Sequence, residues 1–413
     1  MSRIVCSLNV AARVAADRIA HMLASPAPAP PQRRWHAQSL ADGAAGTALL
    51  HIERAHAQVG DWGIAHAWLA NAAQSDIVAT TGSGLYFGAP AVAFALHAAC
   101  TDGSDRYTRA LSTLDRSVIA LTHRRIDQAH ARIASGHLPK FTEFDVISGL
   151  AGIGAYLLHH RPGDDALERV LSYLVRLSEP LRSGGETLPG WWTDHGPDAR
   201  TSPDYPGGHG NFGMAHGIAG PLTLLASARR RGITADGDLE AVERICAWLD
   251  TWRQDRETGP WWPQWITRDE LDRGRVHQPG PLRPSWCYGI PGIARAQQLA
   301  AIAVRDAGRQ QLAEQALAAC LSDANQLGRI TDSSLCHGWA GLFQTAWRAA
   351  VDAATPTIAA NLPRLAALLV QQSEHGETST GFLEGDAGLA LALYTVADTV
   401  PTISGWDACL LIT

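Results

Sequence analysis

Along this chain apolar residues recur three and four apart, and few stretches alternate with a period of two. That pattern predicts helices, not strands. Two kinds of helix are legible. Amphipathic stretches with a 3.6-residue period run from Ala110 to Ile126, Asp165 to Leu177, Leu239 to Arg253 and Gln310 to Leu327. Between them lie Ala- and Leu-rich stretches that are apolar nearly all round, as expected of helices surrounded by other helices. Each of these opens on one recurring phrase: a hydrophobic or aromatic residue, one or two variable residues, then Gly-x-x-Gly.

The phrase occurs seven times, with first glycines Gly43, Gly88, Gly149, Gly217, Gly289, Gly338 and Gly385, spaced 45 to 72 residues apart. The second copy departs from it, with Ala91 in place of the second glycine. Residues three apart share a helix face, and glycines there remove side chains where neighbouring helices crowd. Each unit therefore reads as a helical hairpin, an outer amphipathic helix followed by an inner apolar one. Seven hairpins whose inner helices touch predict an all-α fold, an α/α toroid or barrel of about fourteen helices. An open solenoid would need polar end caps, and the seventh copy is as apolar as the third. The first 39 residues are expected to form an outer helix and a Pro-rich loop.

At ~150 residues per domain, 413 residues would suggest two or three domains. No linker or low-complexity block offers a place to cut, so residues 1–413 are expected to be one domain. Hydrophobic residues make up 46% and charged ones 18%, below the ~25% charged of ordinary domains, which excludes global disorder. The net charge is −6, and all 34 cationic side chains except Lys140 are Arg, without a basic run. Nucleic acid is therefore not an expected partner. Arg3, Asn9, Arg13, Asp17 and Arg18 interrupt the N-terminal stretch, so it does not read as a signal peptide. With no apolar run long enough to span a bilayer, no transmembrane segment and a cytoplasmic location are expected. Seven cysteines, none closer than 16 residues to another, make no disulfide framework. In a reducing compartment they are free thiols or metal ligands.

Residues just before each first glycine sit at the N-terminus of an inner helix, so all share one rim of the ring. Those positions hold Asp42, Asp145 (four residues before Gly149), His216, Cys287, Cys336 with His337, and Glu384. Cys287 and Cys336 lie two residues before the first glycine of consecutive copies, and consecutive copies are neighbours in a ring. With His337 they form three ligands with a fourth position open, the arrangement of a catalytic zinc site. Cys6, Cys100, Cys246, Cys320 and Cys409 lack this phase and read as small packing residues.

The stretches around His216-Gly217, Arg283 to Gly289 through Trp286-Cys287, Cys336-His337-Gly338, Glu384-Gly385 and the terminal Gly405-Trp406-Asp407 resemble the lanthionine synthetase C family, the cyclases of lantibiotic biosynthesis. The resemblance runs from about Leu40 to the C-terminus. It implies one zinc per chain on Cys287, Cys336 and His337, with Asp145, His216 and Arg283 as the polar residues around it. The implied substrate is a dehydrated precursor peptide, a leader plus a Ser/Thr/Cys-rich core. A separate dehydratase and an exporter are the further candidate partners.

The implied reaction adds a peptide cysteine thiol across the Cα=Cβ bond of a dehydroalanine or dehydrobutyrine, forming a (methyl)lanthionine thioether. A free thiol, with a pKa of about 8.5, is mostly protonated at neutral pH, and a divalent metal deprotonates it. Two protein thiolates and an imidazole already cancel the metal's charge, so a third thiolate keeps its electron density. This ligand set suits sulfur alkylation better than water activation. Attack at Cβ leaves an enolate to be protonated at Cα. His216 is the rim histidine outside the ligand set and fits a general acid/base. Asp145 could orient His216 or simply cap its own helix, and Arg283 could hold the enolate oxygen or Asp145. Glu384 and Asp42 read as caps or wall residues.

Rivals within the same pattern are an enzyme that adds glutathione or another external thiol to dehydrated peptides, and a zinc-stabilised scaffold indifferent to His216. A toroidal glycosidase would need opposed carboxylates, with Asp145 and Glu384 as the candidates, and would leave the cysteines without a role. A terpene cyclase would need an Asp-rich motif, but Asp164, Asp165 and Glu168 read as the charged first turn of an outer helix. Trp191, Trp192, Trp261, Trp262 and Trp265 are expected to fill gaps between helices, with an aromatic wall for a peptide as the alternative. The Gly/Pro-rich stretch Gly190 to Gly213 is a candidate substrate loop or lid.

Overall fold

Every apolar stretch becomes a helix that starts within two residues of its first glycine. The computed structural model describes residues 3–26, 31–374 and 379–413. The long helices are α1 (Arg3–Met22), α2 (Ala44–His56), α3 (Trp62–Ala72), α4 (Ala89–Ala98), α5 (Thr108–Ala134), α6 (Leu150–His160) and α7 (Asp165–Ser178). They continue with α8 (Ala219–Arg230), α9 (Asp238–Trp252), α10 (Ile290–Val304), α11 (Ala307–Ser322), α12 (Trp339–Asp352), α13 (Leu362–Gln372) and α14 (Asp386–Asp398). The even-numbered helices are the inner ones. Each packs against the next, and α14 packs against α2, so the inner ring closes as an α/α toroid. Among the described residues no helix is long and apolar enough to cross a membrane.

The hairpin phase differs from expectation. Of its two inner neighbours, each outer helix packs more closely on the one that precedes it, α3 on α2 through α13 on α12. Loop length explains this. Inner-to-outer links can be as short as residues 161–164 or 305–306, whereas outer-to-inner links such as 179–218 and 253–289 must build the rim. A short link favours an antiparallel neighbour. The first outer helix, α1, has no inner helix before it and packs on α14, the last one. Arg13 pairs with Asp398, and the Tyr394 hydroxyl donates to Asp17 at 2.6 Å, so the chain's first helix completes its last hairpin.

The rim is tied together by main chain. The N–H groups of Leu40, Tyr86, Val146, Ala215, Cys287, Cys336 and Leu383 donate to the carbonyls of Tyr86, Ile147, Ala215, Cys287, Cys336, Leu383 and Ala41 at 2.7–3.3 Å. This is a closed belt, and every acceptor lies two residues before a first glycine. The glycines serve the rim turn more than helix–helix crowding. A Cβ on Gly46, Gly152, Gly292, Gly341 or Gly388 would overlap the carbonyl oxygen six residues back in its own turn. Several of these also face one side chain of the neighbouring copy, as Gly152 does Leu85. The second copy departs again, because Gly88 enters α4 at φ +79°, where glycine is favoured.

The C-terminal segment plugs the ring. Trp406, Cys409, Leu410 and Ile412 are buried. The carbonyls of the last three accept from residues of separate copies: Tyr86 Oη to Cys409 at 3.1 Å, Trp286 Nε1 to Leu410 at 2.8 Å and Arg295 Nε to Ile412 at 2.9 Å. Asp164 caps α7 by accepting from Ala166 N–H at 3.1 Å, in keeping with its reading as a helix start. Cys246, Cys320 and Cys409 are buried packing residues and Cys100 is partly so. The side chain of Cys6 lies outside the described residues.

Candidate metal centre

The belt brings the two in-phase cysteines together. Cys287 N–H donates to the Cys336 carbonyl at 3.2 Å, which sets their side chains next to one another across 49 residues of sequence. One ligand atom from each of Cys287, Cys336 and His337 lies within 4.8 Å of the others, and among the described residues no other group of three has ligand spacing. Two thiols and an imidazole, pre-gathered without a fourth ligand among the described residues, fit a zinc ion with one open position. The Cys336 thiol beside Cys287 holds Cys287 well below the usual thiol range, and the same contact raises Cys336. Asp332, which the phase of the repeat does not reveal, has Oδ2 3.4 Å from His337 Nε2, while Oδ1 accepts from the backbone and hydroxyl of Ser334. A carboxylate behind a ligating histidine fixes its ring and raises its basicity.

One copy along the belt, Ala215 N–H donates to the Cys287 carbonyl at 3.3 Å, so His216 stands beside the cluster. Its Nδ1 is 2.6 Å from Oδ2 of Asp145, which is fully buried. The other oxygen, Oδ1, accepts from the N–H groups of Ser148 and Gly149 at 2.7 and 2.6 Å. One Asp145 oxygen thus closes the turn that leads into α6, whose N-cap is Gly149, while the other meets His216. Arg125 of α5 clamps the same turn through the carbonyls of Ser83, Thr142 and Ser148. Its charge lies near Asp145. No periodic signal marked Arg125, because it acts from an outer helix on main-chain oxygens.

A lanthionine synthetase C-like family model matches residues 34–411. The chain belongs to that family. It is 28% identical over 321 residues to the nisin biosynthesis protein NisC of Lactococcus lactis subsp. lactis, covering 76% of this chain and 73% of that protein. Its fold matches the solved structure of nisin cyclase with a TM-score of 0.79 at 23% identity, over 97% of both chains.

The remaining residues of this lanthionine synthetase C-like chain fall around the two clusters. Arg283 pairs with Asp332 at 3.7 Å, so its ion pair goes to the carboxylate behind His337 and not to Asp145. Glu384 lies 4.0 Å from His337 Nδ1, and Asp42 accepts from His36. Neither caps its helix, since Gly385 and Gly43 are the N-caps, and both stand in the rim wall. Tyr288, a residue type without a metal-ligand signal of its own, occupies the position that His216 and His337 hold in their own copies. Its ring centre is 6.0 Å from that of His216. Trp191, Trp192, Trp261 and Trp262 are buried gap-fillers, and Trp265 alone of the five reaches Tyr288, at 6.1 Å. The Gly190 to Gly213 stretch is pinned, with strand His209–Asn211 paired to Trp265–Thr267 and Thr193 bridged to His209.

Proposed function

We propose that this chain is a zinc-dependent lanthipeptide cyclase that joins cysteine thiols of a dehydrated precursor peptide to dehydroalanine or dehydrobutyrine residues of the same peptide. A single observation carries this: Cys287, Cys336 and His337 converge beside an oriented His216–Asp145 pair on one rim. Zinc held by those three residues would supply a Lewis-acid site that keeps an incoming thiol in its thiolate form. Asp145 holds the His216 Nδ1–H, which leaves Nε2 with a lone pair. That nitrogen takes the proton released by the substrate thiol, and the imidazolium returns it to Cα once the C–S bond has formed at Cβ. The proton count closes, so the ring forms by isomerisation without a co-reactant. Arg283, anchored by Asp332, offers its remaining donors to the peptide carbonyl. The dehydrated substrate must be supplied by a dehydrating activity.

The test is incubation with a dehydrated Ser/Thr/Cys peptide, followed by thiol alkylation and mass spectrometry. Loss of free thiol at unchanged mass supports internal ring closure. Adducts to added glutathione, with no internal rings, would reassign the chain to external thiol addition.

A further inference from the structure

We propose that Asn211 is a positioning residue that aims the phenol proton of Tyr288 at the reacting atoms, an inference that rests on the cyclase reading above. Asn211 is buried on the strand His209–Asn211. Its Oδ1 accepts from Gly213 N–H at 2.9 Å, which sets the amide so that Nδ2 and its two hydrogens face the other way. One reaches Tyr288 Oη at 3.2 Å and the other faces His209 Nε2 at 3.4 Å. His209 Nδ1 lies 2.7 Å from the carbonyl of His195, which can only accept, so Nδ1 carries the ring hydrogen and Nε2 the lone pair. Burial pushes His209 down to about 4, so the ring stays neutral near neutral pH. Each bond from the His195 carbonyl through His209 and Asn211 to Tyr288 therefore has one allowed direction.

At the end of that chain the phenol oxygen is an acceptor. A phenol O–H lies in the ring plane with two settings, and Asn211 occupies one of them, so the proton takes the other. Among the described residues nothing accepts it, and the ring stands next to His216 and directly after Cys287. The free O–H is left for the substrate carbonyl oxygen, where negative charge grows as the thiolate attacks Cβ. A pre-aimed donor at that position stabilises the transition state without reorganising. No proton moves from Tyr288 in this step.

The experiment uses the zinc-loaded protein and a synthetic peptide with one dehydroalanine and one cysteine. Asn211→Asp keeps the acceptor for Gly213 but has no hydrogen for Tyr288 and would draw the phenol proton to itself. The expected result is a fall in kcat of about tenfold or more, with KM and zinc content unchanged. Tyr288→Phe should fall equally, and the double variant no further. Asn211→Ser, which can still accept from Gly213 in a tight turn but is too short for Tyr288, serves where the Asp variant does not fold. Wild-type kcat in the Asn211 variants, or losses that multiply in the double variant, would overturn the assignment while ring closure by the wild type still stands. Failure of the wild type to close any ring would overturn the cyclase reading instead.

Discussion

Asp145 and His216, 71 residues apart, meet at 2.6 Å because main-chain bonds hold their two rim turns edge to edge. Replacing Asp145 by Asn keeps an oxygen for the N–H groups of Ser148 and Gly149 but turns an amide hydrogen towards His216 Nδ1, which forces the hydrogen onto Nε2. The wrong tautomer should lower kcat by ~10²–10⁴-fold with zinc content unchanged. Ring-closure kinetics beside metal analysis checks this. Full activity in Asp145→Asn would remove the pair from the mechanism.

Cys287→Ala and Cys336→Ala should each reduce bound zinc from about one per chain to a small fraction. The belt bonds at these positions are main-chain ones, so the helical content should survive. Metal quantification with circular dichroism separates the two effects. A metal-free preparation that still cyclised peptide would contradict the whole assignment.

The rim glycines make a packing prediction. At Gly152 a Cβ would overlap the Val146 carbonyl and press on Leu85 at 2.9 Å, and at Gly341 it would overlap the Leu335 carbonyl. Backbone cannot yield there as a side-chain tip would. Gly152→Ala and Gly341→Ala should each cost ~3 kcal/mol or more, whereas Gly163→Ala, with nothing nearby, should stay within ~0.5 kcal/mol. Denaturant titration decides it, and equal midpoints for all three would refute the turn-contact account.

Buried histidines set an acid limit. Burial pushes His51 and His209 from 6.5 down to about 4. Both are neutral in the fold while the unfolded chain binds protons from pH 6.5 downwards, so their stability contribution is complete above about pH 6.5 and is lost between there and pH 4. At ~1.4 kcal/mol per pH unit each costs about 3 kcal/mol across that window. Urea midpoints should fall from pH 7 to pH 5, and less so in His51→Gln. A flat profile would show that these rings are not buried neutral.

Much of this protein follows from local pattern alone. The 3.6-residue period marks helices wherever an apolar face must be buried, and the glycine phrase repeats because each rim turn folds back over its own helix start. Copies in the same phase must present equivalent positions to one rim, so Cys287, Cys336, His337 and His216 could be picked out before any contact was known. Periodicity carries no information about which distant element lies opposite, and there the three-dimensional arrangement was needed. Loop lengths paired each outer helix with the inner helix before it, and α1 with α14. Asp145 could divide its two oxygens only once the belt set its turn against that of His216. Asp332, Arg125, Tyr288 and Asn211 act through single directed contacts across copies, and a contact between residues far apart in the chain leaves no period to read.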